Sequence, residues 1–149
     1  MKIMLKRLVI VVVLSFGQIL ISQNIVDFSI NSELFIKQSE QTYISNDGEL
    51  FLTVETFANQ YEDLVADIEG VKDDYKDRLT LEYLEGKSIF SAMLLEKVRG
   101  SGDFVSVKLL KDLGSTNTLY LIAAFPLKDK EKYYPILIEA VKSAKLKEK

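Results

Sequence analysis

The sequence predicts an α+β fold: an antiparallel β-sheet flanked by helices, an α/β/α sandwich. Three observations carry that expectation. Three strand-like runs follow one another through short glycine-containing turns, and neighbours joined so tightly must be antiparallel, since a parallel pair needs a crossover of a dozen or more residues. Two further segments place apolar residues at helical spacing. Finally, "SAMLL" and "LYLIAAF" are apolar on both faces, so those strands need cover on each side.

The elements follow in order. Val26, Phe28 and Ile30 alternate in "IVDFSI", a short strand. In "QTYISNDGELFLTVETF", Asn46-Asp47-Gly48 separates Tyr43-Ile44 from the alternating Leu50, Leu52 and Val54, which is a hairpin pattern. On the reverse face Glu49, Thr53 and Glu55 interrupt Phe51 and Phe57, predicting a face covered only in part. Tyr61, Leu64, Val65 and Ile68 then fall at i, i+3, i+4 and i+7. Asn59 suits the N-cap, Glu62 and Asp63 suit the first turn, and Gly70 suits the stop, with a further short turn through Val71 and Tyr75. Leu79, Leu81 and Tyr83 alternate as a strand.

"KSIFSAMLLEKV" runs to the turn "RGSGD", "FVSVKLLKD" to "LGSTN", and "TLYLIAAF" to Pro126. The first and third of these, apolar on both faces, are expected at the centre of the sheet. Tyr134, Leu137, Ile138, Val141 and Ala144 form the stripe of a closing helix, with Glu139, Lys142 and Lys145 turned away. Pro135 fits only a first helical turn, which places the start of that helix near Lys132 to Tyr134.

The N-terminus reads as an export leader. Lys2, Lys6 and Arg7 precede the apolar run "LVIVVVLSFGQILI", which is shorter than the ~20 residues that cross a bilayer comfortably. Ser22 offers an imperfect cleavage signal, and an uncleaved N-terminal anchor is the alternative. The expected organisation is a leader over 1–23 and one domain over 24–149, exported to the periplasm or the extracellular space, with no stable membrane span once the leader is removed.

The chain carries 19 basic and 22 acidic residues. Without the three leader bases, 16 stand against 22, a net of −6. Glu40 to Glu85 holds 13 acids and 3 bases, whereas Gly86 to Lys149 holds 7 acids and 12 bases. Nucleic acid is excluded as a partner, because an acidic domain lacks the basic stripe that phosphate contact requires. There is no His and no Cys. Their absence removes Ser-His-Asp and Cys-His machinery, the usual zinc and copper ligands, disulfides and haem attachment.

The order of elements resembles the PsbP-like family, which includes DcrB-type envelope proteins. The likeness rests on "VDFSI", on "LEGKSIFSAMLLEK", and most on "LYLIAAFPLKDKEKYYPILIEAVKSAKL". It spans about residues 26 to 146, and this chain departs from the pattern in having no tryptophan. The resemblance implies the α/β/α sandwich and a protein-binding or assembly role, and it brings no catalytic or ligand residues with it.

Candidate sites follow from what remains. Asp73 and Asp77 are four apart, but Lys72 and Lys76 intervene and the spacing is not that of a calcium loop; a solvated surface explains them. The pairs Glu82 with Glu85 and Glu49 with Glu55 could be nominated as hydrolytic carboxylates, yet among 22 acids some pair always can. Gly100 and Gly102 lie between strands, so they belong to a turn rather than a phosphate loop. No catalytic, cofactor or metal residues are assigned.

Of the tyrosines, Tyr133 and Tyr134 are adjacent on a helix and diverge by about 100°. The outward one, beside Lys128, Lys130 and Lys132, is the expected partner contact. The function expected is a non-enzymatic binding or assembly module for another envelope or secreted protein. The alternative is a small-ligand or lipid carrier with an apolar pocket between sheet and helix, and a carboxylate-dependent hydrolase stands third.

Overall fold

The computed structural model describes residues 26–148 apart from 59 and 101. The leader expected over 1–23 and the Asn59 cap therefore lie outside the described residues. In chain order the elements are β1 (Val26–Asp27), β2 (Phe35–Lys37), β3 (Thr42–Ser45), β4 (Phe51–Ala58), α1 (Tyr61–Gly70), the single-turn α2 (Lys72–Tyr75), β5 (Leu79–Leu84), β6 (Ile89–Val98), β7 (Gly102–Gly114), β8 (Asn117–Pro126), α3 (Lys130–Ser143) and β9 (Lys145–Leu146). β2 to β8 form one antiparallel sheet in the order β2-β3-β4-β8-β7-β6-β5, while β1 and β9 pair separately.

Alternation along the strands puts the long helices on opposite faces. Val105, Val107 and Leu109 of β7 and Leu119, Leu121, Ala123 and Phe125 of β8 pack with Tyr133, Leu137 and Val141 of α3. The residues between them, Leu110, Tyr120 and Ile122, join Phe57 and Phe90 against Val65 of α1, with Leu64 and Ile68 alongside. Successive strand residues point to opposite sides, so the sheet is the middle layer of a sandwich. Each large apolar side chain taken fully from water contributes roughly 2–3 kcal/mol, and these two layers hold most of the core.

The meander of β6, β7 and β8, the β3–β4 hairpin with Gly48 at φ +72°, and the strand at Leu79 stand as expected. Four expectations are corrected. β8 is central, buried from Thr118 to Pro126, but β6 lies next to the edge strand, because β7 separates it from β8. The face expected to be covered only in part is buried at Thr53, Glu55 and Phe57 and stays half-buried only at its Glu49 and Phe51 end. The closing helix starts at Lys130, after a 3-10 turn over Leu127–Asp129. Pro135 is thus its sixth residue, where the missing N–H removes only the bond to the Glu131 carbonyl on an exposed stretch. Finally, the strand expected through Val26, Phe28 and Ile30 is confined to Val26–Asp27, while β2 and β9 arise from "FIK" and "KL", runs too short to show a period.

Candidate functional site

The lysines and tyrosines singled out at the head of α3 are brought together, but not as an outward aromatic patch. Tyr133 is 1% exposed. Its ring meets Phe35 and Phe125 edge-on at centroid distances of 6.1 and 5.9 Å, and its hydroxyl donates to Asp47. Tyr134, about 100° round the helix, is half-buried and bonds Ser91 of β6 through its hydroxyl at 2.7 Å. Neither ring stands free beside the lysines. Lys132 Nζ lies 3.2 Å from Asp47 Oδ2 and 4.8 Å from the centre of the Tyr133 ring, while Lys128 is exposed and Lys130 half-buried.

Asp47 is the hub that sequence reasoning treated only as a turn residue. It accepts from Ser45 Oγ at 2.5 Å, from the Glu49 amide at 3.0 Å, from Lys132 and from Tyr133. Partial burial opposes ionisation, but these donors together outweigh it and hold the carboxyl far below its ordinary range. Burial, then the hydrogen bond to this carboxylate, pushes the Tyr133 hydroxyl up. The network fastens the β3–β4 turn to the start of α3.

Beside that turn an open groove of about 790 Å³ runs between residues 29–33 and the outer side of α3. Ser29, Ile30 and Glu33 line one wall, and Ile136, Glu139 and Ala140 the other. The 29–33 wall is fixed locally: the Asn31 carbonyl accepts from Leu34 N at 3.1 Å and Phe35 N at 3.0 Å, and its Oδ1 accepts from Glu33 N at 2.9 Å. Asn46 reaches the Glu33 carbonyl with its side chain at 2.5 Å. The Asp47 network therefore borders one end of the groove, and Lys132, four residues before Ile136, sits on the same helix face.

The nominated carboxylates do not converge. Glu85 is exposed and paired with Lys142 at 3.1 Å, and Glu82 points to solvent from the edge strand. Glu49 and Glu55 lie six residues apart on extended chain, about 20 Å. Glu55 is nevertheless unusual. It is 2% exposed, its Oε2 has no hydrogen-bond partner, and burial pushes its carboxyl up to about 7. It stands opposite Tyr120 in the ladder, and Tyr120 is itself pushed up by burial and by the neighbouring carboxylate. Asp73 and Asp77 are exposed, and among the described residues no group of three acids is placed to hold a metal ion. The space between α3 and the sheet, where a carrier would hold its ligand, is occupied by Tyr133, Leu137 and Val141.

No protein-family model matches the chain, and no curated protein matches it in sequence. Among solved structures it is similar to LpqN, involved in cell envelope biogenesis of Mycobacterium tuberculosis, with a TM-score of 0.51 at 8% identity over 83% of each chain. It also aligns with PA94, a protein of unknown function from Pseudomonas aeruginosa, with a TM-score of 0.41 at 14% identity over 83% of this chain and 86% of that one. No helix among the described residues is long and apolar enough to cross a membrane. The LpqN likeness shows the fold alone: this chain is an α+β domain built on an antiparallel sheet.

Proposed function

We propose that this protein is a non-enzymatic binding or assembly module of the cell envelope, exported by its N-terminal leader, which holds a segment of another protein in the groove along α3. The observation that carries the reading is the groove itself. Its open form and its length along the helix suit an extended polypeptide better than an enclosed small molecule. Half-buried Ile30 and Ile136 offer apolar contact, and exposed Glu33, with Glu139 that pairs with Lys142 at 3.4 Å, favours a basic residue in the partner. Support of a weaker kind comes from LpqN, which shares the fold and takes part in envelope biogenesis, and from the PsbP-like resemblance of the strand, proline and helix at the C-terminal end.

The test is partner recovery from envelope extract with Ile136→Arg and, separately, Glu139→Lys. Glu139 is exposed and Ile136 is half-buried against the edge of the core, so circular dichroism checks that each variant folds; the partner is expected to be lost from both. Retention of the same partner by both variants at wild-type yield would remove the groove from the account. Replacing Tyr133 is no test of binding, since a core ring anchored to Asp47 is lost with it.

A further inference from the structure

The two edges of the large sheet are not alike. β2 has three residues and ends in Lys37, and shortness and lysine are two of the means by which natural edges are kept from pairing. β5, "LTLEYL", has six residues, pairs along its whole length with β6 in unbroken register, and contains no Pro, Gly or Lys. As the terminal strand of the sheet, it has no partner strand on its outer side among the described residues. Tyr83 on β5 is 44% exposed, and Val71, which follows α1, is 40% exposed. Tyr83 donates to Glu69 at 3.0 Å, so the end of α1 and these apolar groups lie along the same side of the edge.

We propose that β5 is a self-association strand: it pairs antiparallel with β5 of a second copy, Leu81 opposite its own counterpart. This surface is distinct from the groove along α3. Three constraints single out the arrangement. Adjacent antiparallel copies in one sheet are related by a two-fold axis perpendicular to it, and an interface of this kind is self-complementary. Directly opposed residues then share a face, so the axis passes through a residue rather than between two. Leu79, Leu81 and Tyr83 stand opposite Leu94, Ala92 and Phe90 on the α1 side, and Thr80 and Glu82 lie on the other.

Centring on Glu82 opposes two like charges, and centring on Thr80 leaves only three residues of β5 paired. Centring on Leu81 places Tyr83 against Leu79 of the second copy and Thr80 against its Glu82, with no like charges facing. The two seven-stranded sheets become one. A single six-residue strand on each side gives an interface at the small end of specific ones, so association is in the micromolar range, ~1–100 μM.

The full-length gene product, in the form recovered from the producing cells, is examined by sedimentation velocity from about 1 to 300 μM, a range set by that affinity. Thr80 and Glu82 are both exposed, so their exchange leaves the monomer fold intact, which circular dichroism checks. Thr80→Glu places one new carboxylate opposite Glu82 of the other copy, a contact made twice by symmetry, and is expected to weaken the dimer about tenfold. Thr80→Lys is expected to tighten it, and the double variant Thr80→Glu/Glu82→Lys to restore it. A monomer throughout the range overturns the proposal. So does a Thr80→Glu dimer as tight as wild type, or a double variant no tighter than Thr80→Glu. Ile136→Arg is expected to leave the dimer unchanged, so failure here and failure of the groove are read separately.

Discussion

Replacing Glu55 by Gln exchanges an ionisable group for a neutral one of the same shape at a position 2% exposed in the α1-side core. The carboxyl is displaced upward from 4.5 to about 7 by burial. At ~1.4 kcal/mol per tenfold change in acidity, ionised Glu55 costs the folded state at most about 3 kcal/mol, and about 1–3 allowing for water reaching the open end of the face. The sign follows from linkage: the folded-state pKa lies above the unfolded one, so the contribution is fully present below about 4.5 and is lost as pH rises through about 7.

Urea unfolding followed by circular dichroism at pH 5 and pH 8.5 reads this directly. Glu55→Gln is expected to be near neutral at pH 5 and to gain about 1–3 kcal/mol over wild type at pH 8.5. An equal difference at both pH values would refute the reasoning, since it would mean that Glu55 does not change its charge on this account.

Three further outcomes are expected. Asp47→Asn removes the charge that Tyr133 and Lys132 donate to, costing about 1 kcal/mol at pH 7 after solvent screening; because the carboxyl is held low, wild type loses this advantage only as pH falls below ~4, which thermal melts of both proteins from pH 3 to 7 will show. Ser115 and Thr116 hold φ of +48° and +65° in the two-residue turn between β7 and β8, so the pair Ser115→Asn/Thr116→Gly, suited to that turn, is expected to raise stability by about 1 kcal/mol in urea titration. Leu137→Ala opens a cavity beneath α3 and is expected to cost about 2–5 kcal/mol, measured the same way.

What the sequence disclosed and what it hid have physical causes. Period and turn chemistry are local, so α1, α3, the β3–β4 hairpin and the β6–β7–β8 meander could be read from spacing and from the Gly48, "RGSGD" and "LGSTN" turns. Pairing is not local: β8 docks between β7 and β4, and nothing within "LYLIAAF" or "LFLTVETF" names the other. The cover over Thr53 and Glu55 of β4 is hidden for the same reason: two polar residues imply a face covered only in part until α1 and the neighbouring strands are placed around them. At the head of α3, divergence of Tyr133 and Tyr134 by a third of a turn was legible, but both hydroxyls find distant partners, Asp47 and Ser91. The acid in "SNDGE" followed by Gly was the signal present in the sequence; its role as a hub depends on a helix 85 residues away.

The groove between residues 29–33 and α3 is tested most directly by site-specific photo-crosslinking in the producing cells. A photoreactive side chain at Ile136, within the groove, is compared with one at Asp67, exposed on α1 across the sheet. A discrete adduct with one other protein from position 136, absent from position 67 and abolished by Glu139→Lys, is the predicted result. Equal labelling from both positions, or none from 136, would contradict the assignment of this groove as the binding face.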